Sequence, residues 1–430
     1  MKQRKHFIFD VTTGSREHPD LTHISVMEHA NNPEPAIGRL PFLKGRKPHL
    51  WYAFLRTFRP VWITSDLVVV TRYQDVEEIL RRHDDFDVPY VRRVSVVTNN
   101  GQFFLGMRNS PRYESDIAQM RLAMRRDDLE HRIRPLLLNA ARQAVVESAG
   151  EVDLVADLAR LLPARLMIEY LGLSGLEERQ LSDWAHSLFH YLFVPGISAD
   201  KERQAIQDAT LFRAYLDGLI EQRLKTRQLD DDVIGRLLSL HLSGQPNLSV
   251  ESIRNNLMGI IVGAITPTAK SIALALDFLL DHPEALALAQ GAALDEDLPR
   301  LNSVIREALR HNPFAPGIYR VARHDVTIRT GAWRSTKIKA GQRVLAVTQS
   351  AMWDRRVVKR PGKFEPSRPA HVYLDYGLGL HACFGQYIND IQMAAIVLPL
   401  LQQPGLRRAP GELLQSDEAF PLHMRLEFNT

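Results

Sequence analysis

The sequence predicts a mainly α protein with small peripheral β-sheets. Three observations carry this. From Asp127 to about Gln228 apolar residues recur at intervals of three and four, the period of amphipathic helices. Helical signals return between Val250 and His311. Alternating and β-branched segments are confined to the flanks, so strands do not interleave with helices as winding about a parallel sheet requires.

The elements follow in order. Residues 60–86, PVWITSDLVVVTRYQDVEEILRRHDDF, run from β-branched stretches through a turn at Ser65-Asp66 into a helical pattern starting near Asp75. The long helical stretch is broken at Gly172, Gly175 and Pro195-Gly196, which separates successive helices. A long helix is expected over Val250 to Leu280, a shorter one after DHPE, and a third over Leu298 to His311, where Asn312-Pro313 stops it. Strands return in DVTIRTGAWRSTKIKAGQRVLAV, around turns at Gly331 and Gly341, and in FPLHMRLEF. With no repeat and no linker-like composition, the reading is one domain over 1–430. Its β-rich part covers about 45–75 and 315–350 with a C-terminal hairpin, and its helical part about 76–311 and 386–402.

Composition bounds the function. A hydrophobic fraction of 45% with 24% charged residues excludes a disordered chain. The formal charge of +4 comes without Lys/Arg blocks, so no nucleic-acid partner is expected. A single cysteine in 430 residues cannot form an intramolecular disulfide and suits a reducing compartment. The apolar stretch in MKQRKHFIFDVTTG is too short for a secretory signal, and the run Leu257 to Ile265 falls short of the ~20 residues that span a bilayer. A cytoplasmic monomer with no membrane association is the expectation.

That cysteine, Cys383, stands in DYGLGLHACFG, residues 375–385, just before the helical pattern GQYINDIQMAAIVLPLL. Helix N-terminal amides and the helix dipole favour a thiolate there. Gly377 and Gly379 permit tight turns, and Gly385 leaves room for a flat group. Alone, such a cysteine could be a small buried hydrophobe, or a nucleophile with His381 as its base. Zinc would want a second cysteine, and a blue-copper site a histidine nearer than His423.

Tyr376, Gly377, Gly379, His381, Cys383 and Gly385 together resemble the cytochrome P450 signature F-G-x-G-x-H-x-C-x-G, with Tyr in place of Phe. Glu307 and Arg310 in REALRHNPF resemble the family's E-x-x-R pair. VVVTRYQDVEEIL, YRVARHD and KFEPSRP extend the similarity over nearly the whole chain. The resemblance implies the P450 fold and heme b (iron protoporphyrin IX), with Cys383 as axial thiolate and His381 and Arg320 on the propionates. Tyr113 and Arg121, in NSPRYESDIAQMRLAMRRDD, are the candidates for the remaining propionate contacts. Glu307, Arg310 and Arg368 would form a buried structural network without chemistry.

The resemblance also places the family's A/G-G-x-D/E-T-T motif at VGAITPTAKS. Gly263 and Thr266 fit, Gly263 on the oxygen-binding groove and Thr266 as the catalytic hydroxyl. Ile265 takes the acid position, and Ile neither donates a proton nor orders water. Pro267 removes an N–H from the helix and predicts a kink.

Thiolate ligation favours O–O cleavage, so the family implies a monooxygenase fed with electrons from NAD(P)H through a ferredoxin or flavodoxin and its reductase. The missing acid leaves open a peroxide-dependent peroxygenase or hydroperoxide-processing enzyme, and a non-catalytic heme sensor or carrier is the third reading. The charged run RRDDLEHRIR could meet an acidic redox protein on the cysteine side. Phe189, Phe193, Phe314 and Ile318 suggest an apolar pocket wall for a small lipidic, terpenoid or aromatic substrate.

Overall fold

Helix signals act where their chemistry predicts. Ser110, Ser198, Asp232, Ser249 and Asp297 each stand before a helix and accept a hydrogen bond from a backbone amide in its first turn. Gly172, at φ +85°, ends the helix Leu161–Leu171 in the left-handed conformation that a glycine adopts without strain. The result, in a computed structural model that describes residues 48–430 except 66, 195, 331–333, 418–419 and 430, is a helical body with four small sheets. The chain divides into units Met1–Pro33 and Glu34–Thr430; the described residues belong to the second.

The long helix spans Val250–Asp281, and the helix Leu298–His311 has the expected bounds. Val250–Asp281 is long and apolar enough to cross a membrane, but 72% of its apolar window is buried inside the fold, so it is the core helix of the body. It continues through Pro267 to Asp281 rather than stopping. Pro267 has no N–H, so the carbonyl of Gly263 loses its helical donor at that point.

The largest sheet has five strands, in the order Val61–Ile63, Leu67–Val70, Arg343–Ala346, Ile318–Ala322 and Phe86–Asp87. Leu67–Val70 pairs in parallel with Arg343–Ala346, Leu67 opposite Arg343. All four residues of Leu67–Val70 are buried. Val68 and Val70 join one apolar cluster, Leu67 and Val69 another, as the two-residue period of a strand buried on both faces dictates.

Several expectations are corrected. The helical stretch after Asp127 contains a strand, Glu151–Asp153, and two π-helical segments, Leu129–Ile133 and Leu154–Ala159. FPLHMRLEF is not one strand of a C-terminal hairpin. Phe420–His423 pairs with Gln415–Asp417, whereas Arg425–Glu427 pairs with Glu151–Asp153 and Arg407–Arg408. The division falls at Met424, whose amide donates to Asp153 and whose carbonyl accepts from Leu154. Gly341 turns at φ +77°, while Asp66, Pro195 and Gly331, named in other expected breaks, lie outside the described residues.

The loop that carries Cys383 is wedged between the sheet and the helix Tyr73–Arg81. Gly379 has φ +74°, and a Cβ there would stand 2.8 Å from the carbonyl oxygen of Leu80. Gly379→Ala is therefore expected to lower stability by about 1–3 kcal/mol, read as a fall in thermal midpoint. An unchanged midpoint would show that the loop sits away from Leu80.

Candidate active site around Cys383

Cys383 closes the loop that precedes the helix Gln386–Leu401. Its amide donates to the carbonyl of Tyr376 at 2.8 Å, which folds the loop back on itself. The side chain is exposed by its own surface yet crowded by surrounding protein. Burial pushes the thiol up to about 11, with Asp375 and Asp390 adding to the shift. The amides of Gly385 and Gln386 donate toward sulfur and oppose it. A thiol so placed ionises when a cation binds it, and the amides then hold the anion.

Tyr376, the departure from the P450 signature, has its hydroxyl satisfied. It donates to Asp390 Oδ1 at 3.1 Å and accepts from Asn389 Nδ2 at 3.1 Å. Burial, then Asp390 and Asp375, push the phenol far above its ordinary value. Asn389 also accepts from Thr268 on the long helix, so a chain of hydrogen bonds joins that helix to the cysteine loop. Arg306 pairs with Asp375 at 3.0 Å and lies over the rings of Tyr373 and Tyr376.

Arg320, on the strand Ile318–Ala322, is 4% exposed. Its guanidinium donates to the neighbouring carbonyl of Tyr319, and among the described residues no carboxylate pairs with it. Its charge reaches His381, whose pKa burial and Arg320 together pull down to about 4. Tyr113 is buried, and its hydroxyl donates to Leu380 at 2.9 Å, tying its helix to the cysteine loop. Arg121 is exposed, though close enough for its charge to temper the rise that burial causes in the Tyr113 phenol. Tyr90, which sequence reasoning missed, faces Arg320 and carries no motif that would reveal it.

On the long helix, Gly263 is exposed amid a buried segment, and a Cβ there would meet only Leu105, at 3.8 Å. Gly377 is tighter: at φ +67° its added Cβ would stand 3.2 Å from Ile318. Thr266 is 4% exposed, its hydroxyl without a hydrogen-bond partner among the described residues. Ile265 and Thr266 line one cavity together with His186, Lys270 and Phe420. Phe189 packs against Phe193, Phe314 and Phe420 at centroid distances of 4.6, 6.2 and 5.7 Å. Ile318 stands apart from this cluster, against Gly377.

The structural network implied by the E-x-x-R pair is present. Glu307, fully buried, accepts from Arg310 twice, at 2.9 and 2.8 Å, from Arg368 at 3.1 Å, from Tyr373 at 3.1 Å and from the Glu365 amide at 2.9 Å.

These features fit a heme. A buried guanidinium that lacks a carboxylate suits a propionate. A glycine facing open space on a core helix suits a flat ring. Among the described residues no three His, Cys, Asp or Glu side chains converge on a point.

The sequence profile of the cytochrome P450 family matches residues 179–412, more than half of the chain, and the chain belongs to that family. It resembles mycinamicin IV hydroxylase/epoxidase of Micromonospora griseorubida, 26% identical over 374 residues, which cover 84% of this chain and 88% of that protein. It resembles nocardicin C N-oxygenase of Nocardia uniformis subsp. tsuyamanensis at 26% over 413 residues, covering 87% and 95%. The crystal structure of CalO2 superposes with a TM-score of 0.77 at 21% identity, over 89% of this chain and 96% of that one. P450BioI, solved with an acyl carrier protein bearing hexadec-9Z-enoic acid, gives 0.76 at 22%, over 90% and 100%. The chain is an enzyme of this family, a P450 monooxygenase with a heme cofactor.

Proposed function

We propose that the enzyme holds heme b through Cys383 and inserts one oxygen atom from O2 into an apolar small molecule, with electrons from a ferredoxin or flavodoxin and its reductase. The observation that carries the reading is the crowded Cys383 sulfur with two backbone amides aimed at it. Heme bound through a thiolate supplies O–O bond cleavage and the oxidation of unactivated carbon.

The chain's own residues do the rest. Gly385 and Gln386 hold the sulfur's charge, and the start of the helix Gln386–Leu401 adds its dipole. Arg320 and His381 take the propionates, Arg320 as a guanidinium that pairs well with a carboxylate. Tyr113 fixes the loop through Leu380, and Arg121 approaches the same edge from the surface. Gly263, where an added Cβ would meet only Leu105 at 3.8 Å, would leave room for a flat ring, and Gly377 would let the cysteine loop turn beside it. Thr266 offers its free hydroxyl to the cavity and passes protons there; beside it Ile265 brings none, so water or the substrate must complete the path. The aromatic cluster around Phe189 excludes bulk water from the substrate.

Arg126 stacks on the exposed ring of Tyr387, just after Cys383, so the charged run 125–134 borders the cysteine side, where an acidic redox protein would dock. Arg132 and Arg134 of that run are paired with acidic residues of this chain. We read the enzyme as one catalytic domain, cytoplasmic and monomeric.

Arg320→Met provides a test of the propionate role. Heme content of the purified protein is expected to fall severalfold, while the heme-free protein gains about 1–3 kcal/mol, since a lone buried cation is removed. A parallel loss of both would make Arg320 a structural residue. The function is tested by reducing the protein under carbon monoxide and looking for the red-shifted Soret band. Turnover with ferredoxin, reductase and NAD(P)H is then compared with turnover on hydrogen peroxide alone. Product from peroxide only would overturn the reading.

A further inference from the structure

Lys270 lies one helical turn beyond Thr266 on Val250–Asp281, so the two side chains share a face and line the same cavity. Its ammonium stands 4.7 Å from the ring centroid of Phe314 and 4.8 Å from that of Phe420, two rings brought in by different elements. Burial is the whole cause of its lowered pKa, about 8, and among the described residues no acidic group offsets it. The cavity's other basic groups are accounted for. Arg160 bonds Asp183 and Ser182, and burial pulls His186 down to about 3, leaving it neutral.

A cation held between phenyl rings without a counter-ion opposes folding, and a position needing only bulk would be filled better by Met or Leu. The rings give some attraction, but less than a carboxylate would. The cavity is therefore apolar on its aromatic side and positive at one point.

We propose that Lys270 is a specificity-determining residue that pairs with a carboxylate on the substrate, so that the enzyme selects apolar carboxylic acids. The acid end would lie beside Lys270 and Phe420 and the apolar body would reach past Thr266; the cavity measures about 10 Å³, room for about one water, so the aromatic side chains would shift to admit the acid. The proposal rests on the reading of this cavity as the substrate site.

The test titrates the heme-loaded enzyme with matched acid and neutral probes: decanoate with decanamide, 4-phenylbutyrate with 4-phenylbutyramide, and abietate with abietinol. Binding is read from the shift of the ferric Soret band and, separately, from calorimetric heat. At least one acid is expected to bind ~10-fold or more tightly than its neutral partner. Lys270→Met is expected to bring that acid down to the level of the neutral probe, and Lys270→Arg to keep part of the preference. Neutral probes that bind as tightly as the acids, a preference that survives in Lys270→Met, or no acid binding at all would overturn the proposal. Imidazole binding and the ferrous carbonyl band report on the heme site itself. Their loss in the unaltered enzyme sinks the cavity assignment, whereas normal imidazole binding without acid preference sinks only the role of Lys270.

Discussion

Cys383→Ser abolishes the red-shifted Soret band of the ferrous carbonyl form and reduces monooxygenase turnover to background. A serine hydroxyl is a harder ligand and resists ionisation far more than a thiol. The amides of Gly385 and Gln386 can stabilise an anion already formed, but they do not provide enough to form an alkoxide. The loss is not one of folding. Cys383 is exposed by its own surface and the substitution removes little packing, so the heme-free protein should melt within about 0.5 kcal/mol of the parent. Far-UV circular dichroism and a thermal scan of the heme-free variant check this second half. A variant that kept the parent's spectrum would place the iron elsewhere.

Glu307→Gln has the largest effect on stability, about 3–5 kcal/mol, because it leaves the guanidinium of Arg310 buried without a counter-charge and leaves Arg368 only its longer pairing with Glu365, at 3.5 Å. Denaturant unfolding of the heme-free protein measures it. The same carboxylate gives a pH signature. Burial alone would raise its pKa, but the hydrogen bonds and charge of Arg310, with the His311 ring 3.7 Å away, outweigh burial and hold it down to about 2, against 4.5 in an ordinary glutamate. A carboxylate depressed in the folded state contributes stability that is fully present above its unfolded pKa and lost as pH falls toward the folded one. Stability of the parent should thus drop between about pH 4.5 and 2, and Glu307→Gln should flatten that part of the curve. A variant with the parent's acid profile would show that other carboxylates govern acid unfolding.

The cysteine loop was legible because its chemistry leaves little freedom. Gly379 must turn left and clear Leu80, and the sulfur must meet the start of a helix, so the spacing is narrow enough to resemble the P450 signature, and that resemblance carried the site. Glu307 and Arg310 were legible for a similar reason: both ends of the contact lie within one helical turn. The strand Glu151–Asp153 was not. Three residues carry no period, and its partner Arg425–Glu427 lies near the far end of the chain. Lys270 reads in the sequence as an ordinary polar break in an apolar helix. Only the arrival of Phe314 and Phe420 from distant segments turns it into a cavity residue. The long helix was legible in spite of Pro267, because the apolar pattern on both sides of that residue runs on to Asp281.

The parallel pairing of Leu67 with Arg343 has a consequence for biosynthesis. At ~5–20 residues per second, a ribosome needs on the order of tens of seconds to deliver the second strand after the first. Throughout that interval Leu67–Val70 offers one unpaired backbone edge and two greasy faces to any neighbouring nascent chain. Recombinant yield should therefore respond more to chaperone supply and slow, cool induction than to the thermodynamic stability of the finished enzyme.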